Sequence, residues 1–222
     1  MAREYLGHKL LDQLEEKVVP ATTALLIVDM QNDFAHPEGY CGISFGTGLV
    51  TAFRRVIEPI RRLAAAARAA GVPVLYSKVT QLPDGSLASP VWLADNMRYG
   101  FEPNQCMRGT WGWEIIDELA PQPGDLVVEK TRRSVFQGSV LENVLHGRGI
   151  RTLVVAGVAG SGCVESTVRD AIERDYFVVV PGDAIADASP DLDEHCQRVF
   201  PRLLAPEDFT TVDKLVECWS AA

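Results

Sequence analysis

Residues 24–29, ALLIVD, run apolar without a break up to a carboxylate, whereas 47–70, TGLVTAFRRVIEPIRRLAAAARAA, space their apolar side chains at helical intervals. An uninterrupted apolar run of this length marks a strand buried on both faces, as in a parallel sheet. The same kind of run recurs at 72–80 (VPVLYSKVT), 125–130 (DLVVEK), 152–158 (TLVVAGV) and 177–185 (FVVVPGDAI). Helical periodicity fills the intervals. The 47–70 helix stops at Gly71, with Pro59 predicting a kink or break inside it, and shorter helices are expected over 113–119 and 138–147. A helix starting at Cys163, another over 189–203 and a final short strand and helix complete the pattern. Such alternation predicts an α/β fold, a single-domain three-layer α/β/α sandwich around a mostly parallel, Rossmann-like sheet.

The 222 residues, 47% of them apolar, suffice for one such domain over 1–222, with 1–20 as an N-terminal extension. Residues 81–112 show no period and carry Trp92 and Trp111, so they read as an active-site loop region with short helical pieces. A net charge of −9 argues against nucleic acid or an anionic membrane as partner and leaves a small molecule as the expected ligand. No apolar run approaches the roughly 18 residues of a spanning helix, and MAREYLGHKLLDQLEEK is charged where a signal peptide is apolar. A cytoplasmic location is therefore expected. Five cysteines at 41, 106, 163, 196 and 218, none in a CxxC pair, suit reduced thiols.

In open α/β sheets, sites lie outside the carboxyl ends of the strands. Asp29, Lys130 and Cys163 all fall there. Cys163 ends the small-residue loop of VVAGVAGSGCVEST at a helix start, where peptide dipoles, and a nearby Lys130, favour a thiolate. Asp29 could take the thiol proton and return it to a leaving amine. Gly157, Ala159, Gly160, Ser161 and Gly162 permit close approach of substrate and inward-turned N–H donors. Each residue alone has a plainer reading: a packed thiol, a turn cap, a solvated strand end. Their coincidence at strand ends is what favours chemistry. Glu165, in the first helical turn, reads as structural. Arg132 and Arg133, next to Lys130, could hold a carboxylate, whereas Trp92, Trp111 and Trp113 read as core or interface. His8, His36, His146 and His195 are too widely spaced for a metal site, so neither metal nor cofactor is expected.

With ALLIVDMQNDF (24–34), VVEKTRRSVFQGSVLENVLHGRGI (127–150) and LVVAGVAGSGCVESTVRDAIERDYFVVVPGDA (153–184), the chain resembles the isochorismatase-like cysteine hydrolases. The resemblance implies Asp29, Lys130 and Cys163 as catalytic residues and a cis peptide between Val158 and Ala159. It further implies an oxyanion hole from the Ala159 and Cys163 N–H groups, Phe34 against the substrate, and a homo-oligomer, dimer or tetramer. CVESTVRDAIERDYF, GTWGWEIIDELAPQPGD and KTRRSVF look most like the ureidoacrylate amidohydrolase and N-carbamoylsarcosine amidase branch, which implies cleavage of a small carbamoyl, ureido or amide C–N bond through an acyl-enzyme. Two departures stand out. Gly160-Ser161-Gly162 replaces the family's frequent Thr-Asp or Thr-Asn, and the histidines that nicotinamidases use for metal are missing. The rival readings are an isochorismatase-type vinyl-ether hydrolase, a nicotinamidase-like amidase, and a non-catalytic partner protein that keeps the fold.

Overall fold

The computed structural model describes residues 3–221. Its strands are β1 (Arg3–Tyr5), β2 (His8–Leu10), β3 (Thr23–Val28), β4 (Val74–Val79), β5 (Leu126–Lys130), β6 (Thr152–Gly157), β7 (Phe177–Pro181) and β8 (Phe209–Thr210). The first two form a small antiparallel hairpin, and the other six form one sheet in the order β5-β4-β3-β6-β7-β8, with every pairing parallel. The chain enters at the centre, builds outward through β4 to β5, then returns to the other side of β3 to lay down β6. The crevice between β3 and β6 is thus the switch point of the sheet, where α/β proteins place ligands.

Alternation along β3 explains the two-sided core. Leu25 and Ile27 join a cluster with Phe53, Ile60, Leu63, Leu215 and Trp219. Ala24, Leu26 and Val28 face the opposite cluster with Leu141, Leu145, Val155, Val168 and Phe200. All six residues of β3 are buried, so its apolar run has no solvated face to betray with a polar residue. Each large aliphatic side chain so buried contributes about 1.5–3 kcal/mol. The helices Ile57–Ala69 and Val212–Ser220 cover the first face, and Leu141–Gly147, Glu165–Ile172 and Pro190–Leu203 the second.

Several expected elements shift. The 47–70 helix is two helices, Thr47–Arg54 and Ile57–Ala69, and Pro59 sits in the first turn of the second, where its missing N–H costs nothing. The break therefore precedes the proline. The expected helix at 113–119 is a pair of single 3₁₀ turns, Trp111–Trp113 and Asp117–Leu119, and the 81–112 region contains a helix, Pro90–Arg98, capped by Ser89. Within the expected extension, Lys17 is buried and pairs with Asp208 at 2.7 Å and Glu207 at 3.0 Å, docking this segment beside β8.

Gly157 fixes the approach of β6 to β3. Its φ is +118°, and a Cβ there would lie 2.2 Å from the Val28 carbonyl oxygen. Only glycine lets the loop that follows pass this close to the end of β3.

Candidate active site

Asp29 follows β3 with φ +53°, a left-handed conformation that aspartate tolerates better than most residues, and this turn is braced on both sides. Its N–H donates to the Ser77 carbonyl at 3.3 Å, and its carbonyl accepts from the Gln31 N–H at 2.8 Å. Gln31, fully buried, ties three segments together: its Nε2 donates to the Val79 carbonyl (3.0 Å) and the Trp113 carbonyl (2.9 Å), and its Oε1 accepts from the Val79 N–H (2.7 Å). Asp33 orders the adjoining loops by accepting from the Tyr40 and Cys106 N–H groups at 3.0 and 2.6 Å.

Lys130 ends β5, two strands from β3, a gap of roughly 10 Å that a short side chain could not cross. Its stem spans β4, and its Nζ lies 2.7 Å from Asp29 Oδ2. Both side chains are sealed from solvent. Ser77, on the intervening strand, donates to Asp29 Oδ1 at 2.6 Å, and the Arg133 carbonyl accepts from the Lys130 ammonium. Oδ2 meets the ammonium as a close ion contact without an aligned hydrogen bond, so this buried oxygen keeps acceptor capacity. Burial alone would push the Lys130 ammonium down, but the charges and hydrogen bonds of Asp29 and Cys163 hold it above the ordinary lysine value.

The loop after β6 brings Cys163 to this pair. The Val158–Ala159 peptide is cis, and Gly160–Val164 form a single π-helical turn, so Cys163 lies within that turn and the α-helix begins at Glu165, two residues later than expected. Gly160 donates to the Ala186 carbonyl (2.8 Å), Ser161 to Asp187 Oδ2, and Gly162 and Val164 both to the Ala159 carbonyl (3.1 Å). Asp187 is itself buried and takes no side-chain cation; its N–H donates to Asp193, which ion-pairs with Arg55. The underside of the loop is filled by Cys196, whose Sγ would lie 2.6 Å from a Cβ at Gly160.

Burial pushes the Cys163 thiol up to about 12; Lys130 pulls it down and Asp29 pushes it up. Lys130 acts toward the thiolate, but desolvation outweighs it and favours the protonated thiol beside a carboxylate with acceptor capacity. Glu165 binds Arg169 (2.8 Å) and His195 (3.0 Å), as suits a structural residue. Phe34, in the short helix Asn32–Ala35 after Asp29, packs partly buried against the core.

A cavity of about 470 Å³ opens beside the turn, lined by Trp92, Asn96, Arg132, Arg133, Ser134 and Ser166 among others. Arg133 pairs there with Asp95 at 2.7 Å and lies over the Tyr99 ring. A hollow of about 500 Å³ beside β8, around Leu14, Phe209 and Lys214, lies apart from all three groups. Of the tryptophans, Trp113 stacks under the Lys78 ammonium and donates to Thr80 (2.9 Å), Trp111 is half exposed against His36, and Trp92 walls the cavity. Among the described residues, no group of three His, Cys, Asp or Glu side chains is placed to hold a metal ion.

Gln31, Ser77 and Asp187 were not singled out by the sequence. A polar residue inside the apolar run VLYSKV was the one available signal, and it pointed to Ser77.

Residues 23–202 match the isochorismatase domain. The chain is 43% identical over 179 residues to a ureidoacrylate amidohydrolase RutB of Methylorubrum extorquens, covering 76% of this chain and 71% of that protein. It is 38% identical over 210 residues to the protein of that name from Pseudomonas savastanoi pv. phaseolicola, covering 88% and 85%. Among solved structures it superposes on a cysteine hydrolase from Pseudomonas syringae pv. phaseolicola 1448A with a TM-score of 0.77 and 30% identity, covering 91% and 94% of the two chains. N-carbamoylsarcosine amidase from Thermoplasma acidophilum gives a TM-score of 0.67 at 29% identity, covering 86% and 97%. On a match that spans most of its length, in sequence and in fold, this chain belongs to the isochorismatase family of hydrolases.

Proposed function

We propose that this amidohydrolase cleaves a C–N bond of a small carbamoyl or ureido compound, with Cys163 as nucleophile, Asp29 as proton shuttle and Lys130 as the cation that holds the pair together. The observation that carries the reading is the placement of the Cys163 thiol beside the buried Asp29 carboxylate, which is braced by Ser77 and paired with Lys130. A thiol raised to about 12 needs a base at the moment of attack, and the adjacent carboxylate is that base.

In acylation the Cys163 sulfur bonds to the carbonyl carbon while its proton passes to Asp29. The oxygen that becomes anionic is received by the Ala159 and Cys163 N–H groups; the neighbouring donors of Gly160, Ser161, Gly162 and Val164 are engaged within the protein. Collapse breaks the C–N bond, and Asp29 hands its proton to the departing nitrogen. In deacylation water adds to the thioester carbonyl, Asp29 takes its proton, and the proton returns to sulfur as the S–C bond breaks. Phe34 walls the substrate on the Asp29 side. No step needs a metal or an organic cofactor.

The carbamoyl or ureido class is carried over from relatives named for ureidoacrylate and N-carbamoylsarcosine. Ammonia release from a panel of ureas, carbamoyl amino acids and aliphatic amides tests it; turnover of simple aliphatic amides alone would overturn the class. We also assign a cytoplasmic homo-oligomer, supported by the clustered rings of Tyr40, Phe45 and Phe101 beside exposed Ile43, Met97 and Tyr99. Among the described residues no helix is long and apolar enough to cross a membrane. A monomer by light scattering at assay concentration would remove the assembly.

A further inference from the structure

We infer that Arg132, and not its neighbour Arg133, is the subsite for a carboxylate on the substrate, so that the enzyme selects ureido or carbamoyl acids over their neutral counterparts. The inference rests on the proposed amidohydrolase reading and names the group that would decide its substrate.

Both arginines line the 470 Å³ cavity, a size within the roughly 300–1,000 Å³ of small-molecule sites. Their side chains are committed differently. Arg133 is half exposed, ion-paired with Asp95 at 2.7 Å and set over the Tyr99 ring, which ties the helix Pro90–Arg98 to the loop after β5. Its charge is already answered. Arg132 is partly buried, and its Nη1 is spent on the carbonyls of Thr131 (2.7 Å) and Leu87 (3.2 Å). Those two bonds fix the plane of the guanidinium and leave its Nε and Nη2 without an acceptor among the described residues. Among the described residues, Arg132 is the only partly buried arginine that forms no ion pair with a carboxylate.

An unanswered guanidinium held in place at a cavity wall is matched to a planar anion. Nε and Nη2 form the parallel donor pair that binds a carboxylate in bidentate fashion, and Nη1, held by main-chain carbonyls, keeps that pair oriented before the ligand arrives. The remaining charged residue of the wall, Asp95, is neutralised between Arg133 and Arg98 (3.1 Å), so the cavity is locally positive on a chain of net charge −9. Ser166 also lines the cavity and follows Cys163 by three positions in the sequence, on the helix that the nucleophile's turn leads into. A ligand with a carbamoyl carbon at Cys163 and a carboxylate at Arg132 is a ureido acid. Asn96, Ser134 and Trp92 supply polar contacts and a flat apolar wall between the two ends.

The experiment compares ureidopropionate with its methyl ester, which differ at the carboxylate alone, across wild type, Arg132→Gln, Arg132→Lys and Arg133→Gln. Wild type favours the acid in kcat/KM. Arg132→Gln collapses the acid-over-ester ratio by roughly 10–100-fold, mainly through KM on the acid, as expected for loss of a charge-assisted bond. Arg132→Lys restores part of the ratio, and Arg133→Gln keeps it. An unchanged ratio in Arg132→Gln, or its collapse in Arg133→Gln alone, overturns the assignment. If wild type hydrolyses neither compound, the ureido part of the proposed function fails for this pair, and calorimetric binding of ureidopropionate to Cys163→Ala, with and without Arg132→Gln, decides the anion subsite. Equal binding by the two proteins overturns it.

Discussion

Lys130 Nζ and Asp29 Oδ2 lie 2.7 Å apart, each from a different strand and each closed off from solvent. Breaking a buried ion pair from one side leaves an unanswered charge and costs about 3–5 kcal/mol. Lys130→Met should therefore lower the melting temperature markedly, whereas Lys130→Met with Asp29→Asn, which removes both charges, should recover much of the loss. Additive losses in thermal melts would show that the two charges do not stabilise one another.

Asp29→Asn should change the thiol and the turnover in opposite directions. The carboxylate is one of the groups that raise the Cys163 thiol, so the variant lowers its pKa and increases the thiolate fraction at pH 7. Iodoacetamide should then modify Cys163 faster than in wild type, while kcat/KM falls by the ~10²–10⁴-fold of a lost general base. Slower alkylation would contradict the electrostatic arrangement, and near-wild-type turnover would end the shuttle role.

In wild type, alkylation of Cys163 should rise steadily with pH well beyond the ordinary thiol value near 8.5, because burial lifts the group to about 12. A plateau near pH 8.5 in a pH-rate profile would mean the thiol is not shielded.

Cys163→Ala should bind substrate, keep its circular dichroism spectrum and release no product, and intact-mass spectra of wild type quenched during turnover should carry one acyl addition that the variant lacks. Full activity in Cys163→Ala would exclude a covalent intermediate.

Treatment with a chelator should leave the rate unchanged. His195 is held by Glu165, and His36 and His146 lie against Trp111 and Tyr176. Loss of activity restored by added zinc would require a metal in the mechanism.

Much of this arrangement was legible because strand ends are easy to locate. The apolar runs closing on Asp29 and Lys130, and the small-residue loop before Cys163, placed all three at one edge of a parallel sheet. Less was legible wherever a side chain's role depends on what crosses it. Arg132 and Arg133 look interchangeable in sequence, and they part only when the helix Pro90–Arg98 brings Asp95 to one of them. The helix break before Pro59 was misplaced because proline is tolerated in a first turn, and the packing that raises the Cys163 thiol leaves no local trace in sequence. Gln31 reads as an ordinary polar residue after a strand, although it clamps the Val79 strand end and the Trp113 turn.

The return of the chain to β3 by way of β6 makes the reactive centre depend on both halves of the sheet. Asp29 and Lys130 come from the β3, β4 and β5 side of the sheet, whereas the thiol comes from the loop after β6, where Gly157 passes the Val28 carbonyl. Labelling with a substrate-like electrophile would count only chains whose central sheet is complete, which makes the nucleophile a built-in gauge of the fully assembled fold.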